Sequence, residues 1–209
     1  MKVPVRVLIV ENQTLTRVGI RTILETQNDI KIVGEAKTGA EGFALYQQLQ
    51  PDVIILGLRL PDSCAIDVLA DYFAENRKAK IIILAEHAGD AEISKSLKKG
   101  ALGYVCKDVS ESELVKAIRA VGAGKKYIPT GIAEILSENF GQEELTPAEQ
   151  KILRAIVDGK SNKEIAFDSG VSENTVKTHV KNIFEKLGIS DRTSAATLAI
   201  KRGLVRIDV

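Results

Sequence analysis

From Val5 onward the chain alternates continuous apolar runs with longer stretches in which apolar residues recur every three or four positions. The runs VRVLIV (5–10), KIVGEA (31–36), DVIIL (52–56), KIIILA (80–85) and GYVC (103–106) are short and rich in β-branched residues, which predicts strands. The stretches near 14–26, 39–49, 64–76, 90–98 and 110–122 carry helical spacing. Strands without polar alternation are buried on both faces, and strands separated by helices pair in parallel through right-handed crossovers. Five such units predict a doubly wound α/β domain over residues 1–124. Its functional groups belong at the carboxyl ends of the strands.

Beyond GAGKKY the strand pattern disappears. TGIAEILSENF (130–140) predicts a short helix and leads through the acidic GQEE (141–144) into LTPAEQKILRAIVDG. There Thr146 fits an N-cap, Pro147 the first helical position and Glu149 the return partner of a capping box. Gly159 ends that helix, Ser161 and Glu164 form a second capping box, and a turn at Gly170 precedes a helix from Ser172 to Leu187. DRTSAATLAIKRG supplies a fourth. The expected organisation is therefore an α/β domain over 1–124, a linker with a short helix over 125–144, and an all-α four-helix domain over 145–209.

Composition narrows the function classes. The chain has 209 residues, 44% of them hydrophobic, and carries no apolar stretch near the ~18 residues of a membrane span. MKVPVRVLIV runs at once into polar ENQT rather than a cleavage site, so the expected setting is the cytoplasm, with no membrane partner. Cys64 and Cys106 are too few and too unpatterned for a disulfide framework or a metal site. No nucleophile stands with a base, so no enzyme activity and no cofactor are expected. The net charge of +1 conceals an asymmetry: residues 1–144 hold 18 Lys and Arg against 20 Asp and Glu, whereas residues 145–209 hold 11 against 8. The basic excess favours a polyanion partner at the C-terminal end.

The helix beginning at Ser172 makes that partner specific. Val176, Val180, Ile183 and Leu187 share an inward face at spacings of four, three and four, leaving Asn174, Thr175, Lys177, Thr178 and Lys181 outward. Long donors for base edges beside hydroxyls and lysines for phosphates are what the major groove of double-stranded DNA requires. Lys163, near the start of the preceding helix, is placed to contact phosphate with help from that helix's N-terminal amides. His179 has two open roles, a phosphate contact or packing between helices.

The stretch LTPAEQKILRAIVDGKSNKEIAFDSGVSENTVKTHVKNIFEKLGISDRTSAATLAIKRGLV closely resembles the LuxR-type helix-turn-helix domain. The first domain resembles a bacterial response-regulator receiver of flavodoxin-like fold, and the whole chain is similar to NarL/FixJ-family regulators. The resemblance implies that Lys177, Thr178 and Lys181 face bases. It also implies that the last helix pairs the DNA-binding domains, giving a homodimer on an inverted repeat.

In the receiver the resemblance exposes departures. Gly57, in ILGLRLPD, stands where the family has its phospho-acceptor aspartate; IVEN gives Glu11 and Asn12 where two acidic residues hold Mg²⁺; and IILAEH gives Ala85 where Thr or Ser is usual. Lys107, in YVCKD, keeps its identity. Phosphoryl transfer to a carboxylate needs a nucleophile, a cation bridging acidic ligands and phosphoryl oxygens, and a counter-charge. This pocket is therefore expected to be degenerate, without metal or catalytic residue, and Glu11 and Lys107 are expected to pair with each other. Asp62, beyond Pro61, is expected to point away. Two alternatives remain: a module that docks a regulatory protein partner, and a sensor whose vacated pocket takes a small ligand.

Overall fold

The computed structural model describes residues 3–87, 89–138 and 143–205, which form two compact units, one built on a sheet and one on the C-terminal helices. In the first, β1 (Val5–Val10), α1 (Thr14–Glu25), β2 (Ile30–Ala36), α2 (Gly39–Leu49), β3 (Val53–Gly57), α3 (Ala65–Glu75), β4 (Ile81–Ala85), α4 (Asp90–Lys98), β5 (Gly103–Cys106) and α5 (Glu111–Gly122) alternate along the chain. α6 (Thr130–Glu138) follows; residues 139–142, where the sequence extends that helix and begins GQEE, lie outside the described residues.

The sheet is wholly parallel in the order β2-β1-β3-β4-β5. Val7, Ile9, Val53, Ile55, Ile82 and Leu84 turn to one face and pack with Ile20 and Leu24 of α1 and Leu114, Ile118 and Val121 of α5. The alternate residues Leu8, Val10, Ile54, Leu56, Ile81 and Ile83 are as completely buried on the other face. Burial on both faces explains the unbroken apolar runs, each large side chain contributing about 1.5–3 kcal/mol. Gly42 lets α2 settle on β1, for a Cβ there would lie 2.7 Å from both Val10 methyls.

The strand order reverses between β1 and β3. Their carboxyl ends flank the crevice where doubly wound sheets carry their sites, and that is where Glu11 and Gly57 stand.

The second unit contains α7 (Pro147–Val157), α8 (Asn162–Ser169), α9 (Glu173–Leu187) and α10 (Arg192–Lys201) around Leu153, Ile156, Ile165, Val176, Ile183, Ala195 and Ala199. Both capping boxes form, Thr146 with Glu149 and Ser161 with Glu164. Ser172 is the N-cap of α9, which begins one residue later than the sequence pattern suggests, and Gly170 takes the left-handed conformation (φ 65°) that the turn into it demands. Glu149 also accepts a hydrogen bond from Lys186 at 2.8 Å, tying the start of α7 to the end of α9. Burial works against its charge, but Lys186 and the Thr146 amide outweigh that and hold the carboxyl below its ordinary range.

Among the described residues no helix is long and apolar enough to cross a membrane, and both cysteines are free thiols.

Candidate functional site

Glu11 follows β1 directly. Its amide donates to the Ala36 carbonyl at 3.0 Å, extending the pairing with β2 by one residue and drawing the side chain inward until it is completely buried. One carboxylate oxygen, Oε1, accepts from Lys107 Nζ at 3.0 Å and from the Gln13 amide at 2.8 Å. The other, Oε2, is buried with no hydrogen-bond partner among the described residues. Lys107 is fixed in turn because its amide donates to the Ala85 carbonyl at 2.8 Å, and its ammonium also lies 3.3 Å from Glu86. The expected Glu11–Lys107 pair is therefore present, with one further carboxylate on its outer side.

Gly57 closes β3 opposite this pair, fully buried. A Cβ on Gly57 would lie 2.8 Å from Glu11 Oε2, 3.2 Å from the Val10 carbonyl oxygen and 3.4 Å from a Leu60 methyl. The absent side chain has thus not left a vacancy, because the Glu11 carboxylate stands where it would go. Ala85 is buried at the end of β4, and Asn12 is exposed.

The loop carrying Glu11 and Asn12 is held by Arg17, a residue the sequence pattern did not single out. Its guanidinium donates to the carbonyls of Glu11 at 2.7 Å and Asn12 at 3.3 Å and lies 3.4 Å from Glu35. Its place, one helical turn into α1 beneath the loop, was the available signal.

Asp62 is engaged elsewhere. It accepts from the amides of Gly39 at 2.7 Å and Ala40 at 2.9 Å, at the start of α2. The Ala40 bond above all, with Gly39 and Ser63, outweighs desolvation and keeps the carboxyl below its ordinary range. A side chain at Gly39 would collide with Ser63, so this docking depends on the glycine.

Mg²⁺ in such a pocket needs hard oxygen ligands with at least one or two free carboxylates. The buried carboxylate here is bonded to an ammonium, and no group of three or more His, Cys, Asp or Glu residues among the described residues could hold a metal.

On α9, Val176, Ile183 and Leu187 are buried and Val180 half-buried, whereas Asn174, Thr175, Lys177, Thr178 and Lys181 are exposed, as is Lys163 on α8. The exposed groups are not idle. Lys177 pairs with Glu173 at 3.0 Å and Lys181 with Glu185 at 3.6 Å, each one turn away. Thr178 Oγ1 donates to the Asn174 carbonyl at 3.1 Å, and the Thr175 amide donates to the N-cap Ser172. These exposed ion pairs are worth only about 0.3–0.5 kcal/mol and yield readily to a phosphate or base edge. His179 is half-buried, its Nδ1 buried without a hydrogen-bond partner among the described residues.

Comparisons with known proteins bear on both units. Residues 7–119 match the family described as response regulator receiver domain, and residues 143–199 match bacterial regulatory proteins, luxR family. The transcriptional regulatory protein LiaR of Bacillus subtilis is 37% identical over 209 residues, covering 96% of this chain and 99% of its own. The transcriptional regulatory protein MctR of Rhizobium johnstonii is 35% identical over 204 residues, covering 96% and 95%. Among solved structures, RcsB from Salmonella enterica serovar Typhimurium, bound to the promoter P1flhDC in the presence of the phosphomimetic BeF₃⁻, superposes with a TM-score of 0.75 at 25% identity, covering 93% of this chain and 97% of that one. The response regulator ChrA of a heme-sensing two-component system gives a TM-score of 0.57 at 30% identity, covering 96% and 98%. The chain belongs to the response-regulator family, as a DNA-binding transcriptional regulator with a receiver domain followed by a LuxR-type helix-turn-helix domain.

Proposed function

We propose that this chain regulates transcription by binding a specific DNA sequence without being switched by aspartyl phosphate. One observation carries the reading: β3 ends in buried Gly57, and the space of its missing side chain is taken by the Glu11 carboxylate already bonded to Lys107. Nothing nucleophilic then stands where a phosphoryl group would be accepted, and the groups that would hold Mg²⁺ and stabilise the product are replaced by Asn12 and Ala85. Asp62, the nearest alternative acceptor along the chain, is committed to the amides of α2.

The DNA-facing surface is the exposed side of α9. Lys177, Thr178 and Lys181 face bases, with Asn174 and Thr175 beside them and Lys163 on phosphate. His179 contributes a phosphate contact through Nε2, its other nitrogen being buried. The homologous RcsB binds promoter DNA, which supports double-stranded DNA as the target here. A homodimer on an inverted repeat in the cytoplasm completes the proposal, its occupancy set by protein concentration or a regulatory partner.

Two measurements test the reading. Incubation with acetyl phosphate and Mg²⁺ followed by phosphate-affinity electrophoresis is expected to give no shifted band; a phosphoprotein, at Asp62 or elsewhere in the receiver, contradicts it. Binding to an operator fragment found by genome-wide footprinting is expected to be tight, selective and salt-dependent. Weak, sequence-indifferent affinity would instead favour a protein-interaction module.

A further inference from the structure

We propose that Glu11 is a resident substitute for the missing acceptor carboxylate, and that glycine at position 57 is a steric requirement of that substitution. The inference deepens the reading of a receiver without aspartyl phosphorylation, on which it rests, by naming what occupies the pocket instead.

The geometry is specific. Glu11 reaches from the end of β1 across to the end of β3, and its Oε2 comes within 2.8 Å of where the first side-chain atom of any residue at 57 would be. Real Cβ atoms do not approach so closely, so every side chain other than glycine's must move the carboxylate. The carboxylate is the far end of a flexible side chain, but its freedom to give way is restricted, because Oε1 is held by Lys107 at 3.0 Å and by the Gln13 amide at 2.8 Å and the side chain is buried. A negative group therefore sits permanently beside the β3 terminus and engages the lysine at the end of β5. Lys107 meets a fixed partner from its own chain, and the pocket has one occupancy state. Glu11 and Gly57 act as one two-residue latch, although 46 positions separate them in sequence.

The test is a thermodynamic cycle with a chemical rescue, both on the full chain. Gly57→Ala is expected to lower the melting temperature by roughly 5 °C or more, as a shift of one or two kcal/mol does in a domain of this size. In a Glu11→Ala background, where the colliding atom is gone, the same change is expected to cost much less. Glu11→Ala alone strips Lys107 of its buried partner and leaves a cavity shaped for a carboxylate. Sodium formate or acetate at tens of millimolar is expected to recover part of the lost melting temperature, whereas sodium chloride at equal ionic strength is not. If Glu11→Ala proves too unstable to purify, Glu11→Gln replaces it in the cycle and tests whether the amide still clashes, the Gly57→Ala penalty then persisting. Additive effects of Gly57→Ala and Glu11→Ala, loss of the Gly57→Ala penalty in the Glu11→Gln background, or formate and acetate no better than chloride, would overturn the proposal. Those outcomes leave the proposed function untouched, while labelling by acetyl phosphate at another residue would overturn that function and leave the cycle intact.

Discussion

Gly57→Asp places a carboxylate at the end of β3, where the proposed reading has none, and it is expected to fail as a repair. The new Cβ would begin 2.8 Å from Glu11 Oε2 and 3.2 Å from the Val10 carbonyl, so the side chain enters only by one of two routes. If both carboxylates remain about 4 Å apart, their repulsion is about 4 kcal/mol at an effective dielectric near 20. The ammonium beside Glu11, that of Lys107, is already shared with Glu86. If Glu11 is expelled, its bonds to Lys107 and the Gln13 amide break, each worth about 1.5–3 kcal/mol as a hydrogen bond to a charged group. Either route costs about 3–6 kcal/mol, which lowers the melting temperature by roughly 10 °C or more. Scanning fluorimetry reads the stability, and phosphate-affinity electrophoresis after treatment with acetyl phosphate and Mg²⁺ reads the chemistry. A variant as stable as its parent, or one that accepts a phosphoryl group, refutes the steric and electrostatic reasoning together.

Other expectations concern the DNA-binding unit. Lys177→Ala should cost about 1–3 kcal/mol on an operator and relax preference at one position of each half-site, seen by competition with singly substituted fragments. Lys163→Ala should weaken all sequences alike and reduce the slope of log affinity against log salt by about one, with unchanged preference. Lys186→Met should destabilise the C-terminal unit by about 1.5–3 kcal/mol, because it removes a charge-assisted bond to Glu149, whose side chain is almost fully buried. The Glu149 carboxyl titrates below its usual 4.5, so its contribution is complete above that pH and is lost as the pH falls through the lowered folded value. Melting curves of the parent should therefore steepen in their pH dependence below about pH 4.5, and Lys186→Met should flatten that slope.

Much of the architecture was legible because it depends on local rules. Unbroken runs such as DVIIL announced strands buried on both faces, and Thr146–Glu149 and Ser161–Glu164 marked helix starts that the structure keeps. The pairing of Glu11 with Lys107 could be anticipated from charge alone at the ends of strands that a parallel sheet brings together. What could not be read was volume. That Glu11 fills the space of a side chain at 57 depends on how far a glutamate reaches between neighbouring strands, a matter of ångströms that no spacing encodes. Glu86 and Arg17 escaped for a similar reason, since their partners are distant in sequence or are backbone carbonyls. The Lys177–Glu173 and Lys181–Glu185 pairs were within reach, for they follow the i,i+4 rule.

The strand ends and the sheet interior obey separate demands, so a change of chemistry at the strand ends leaves the fold in place. Val53 to Leu56 of β3 and Ile81 to Leu84 of β4 are buried against helices on both sides, and none of the hydrophobic free energy there depends on which side chain stands at position 57 or 85. Polar satisfaction and the room that Glu11 takes bind the ends, because a buried carboxylate without a cation would cost several kcal/mol. Glu11 and Lys107 meet that demand for each other. On the proposed reading no phosphoryl group is needed to balance Lys107, and a change at this site would have to begin by breaking a buried ion pair. Control of DNA binding would then enter through surfaces where binding a partner or a second copy exchanges water for protein. Sedimentation of the parent across a range of concentrations, with and without acetyl phosphate, separates the two routes: self-association that tracks concentration and ignores acetyl phosphate fits a closed pocket, and dependence on acetyl phosphate does not.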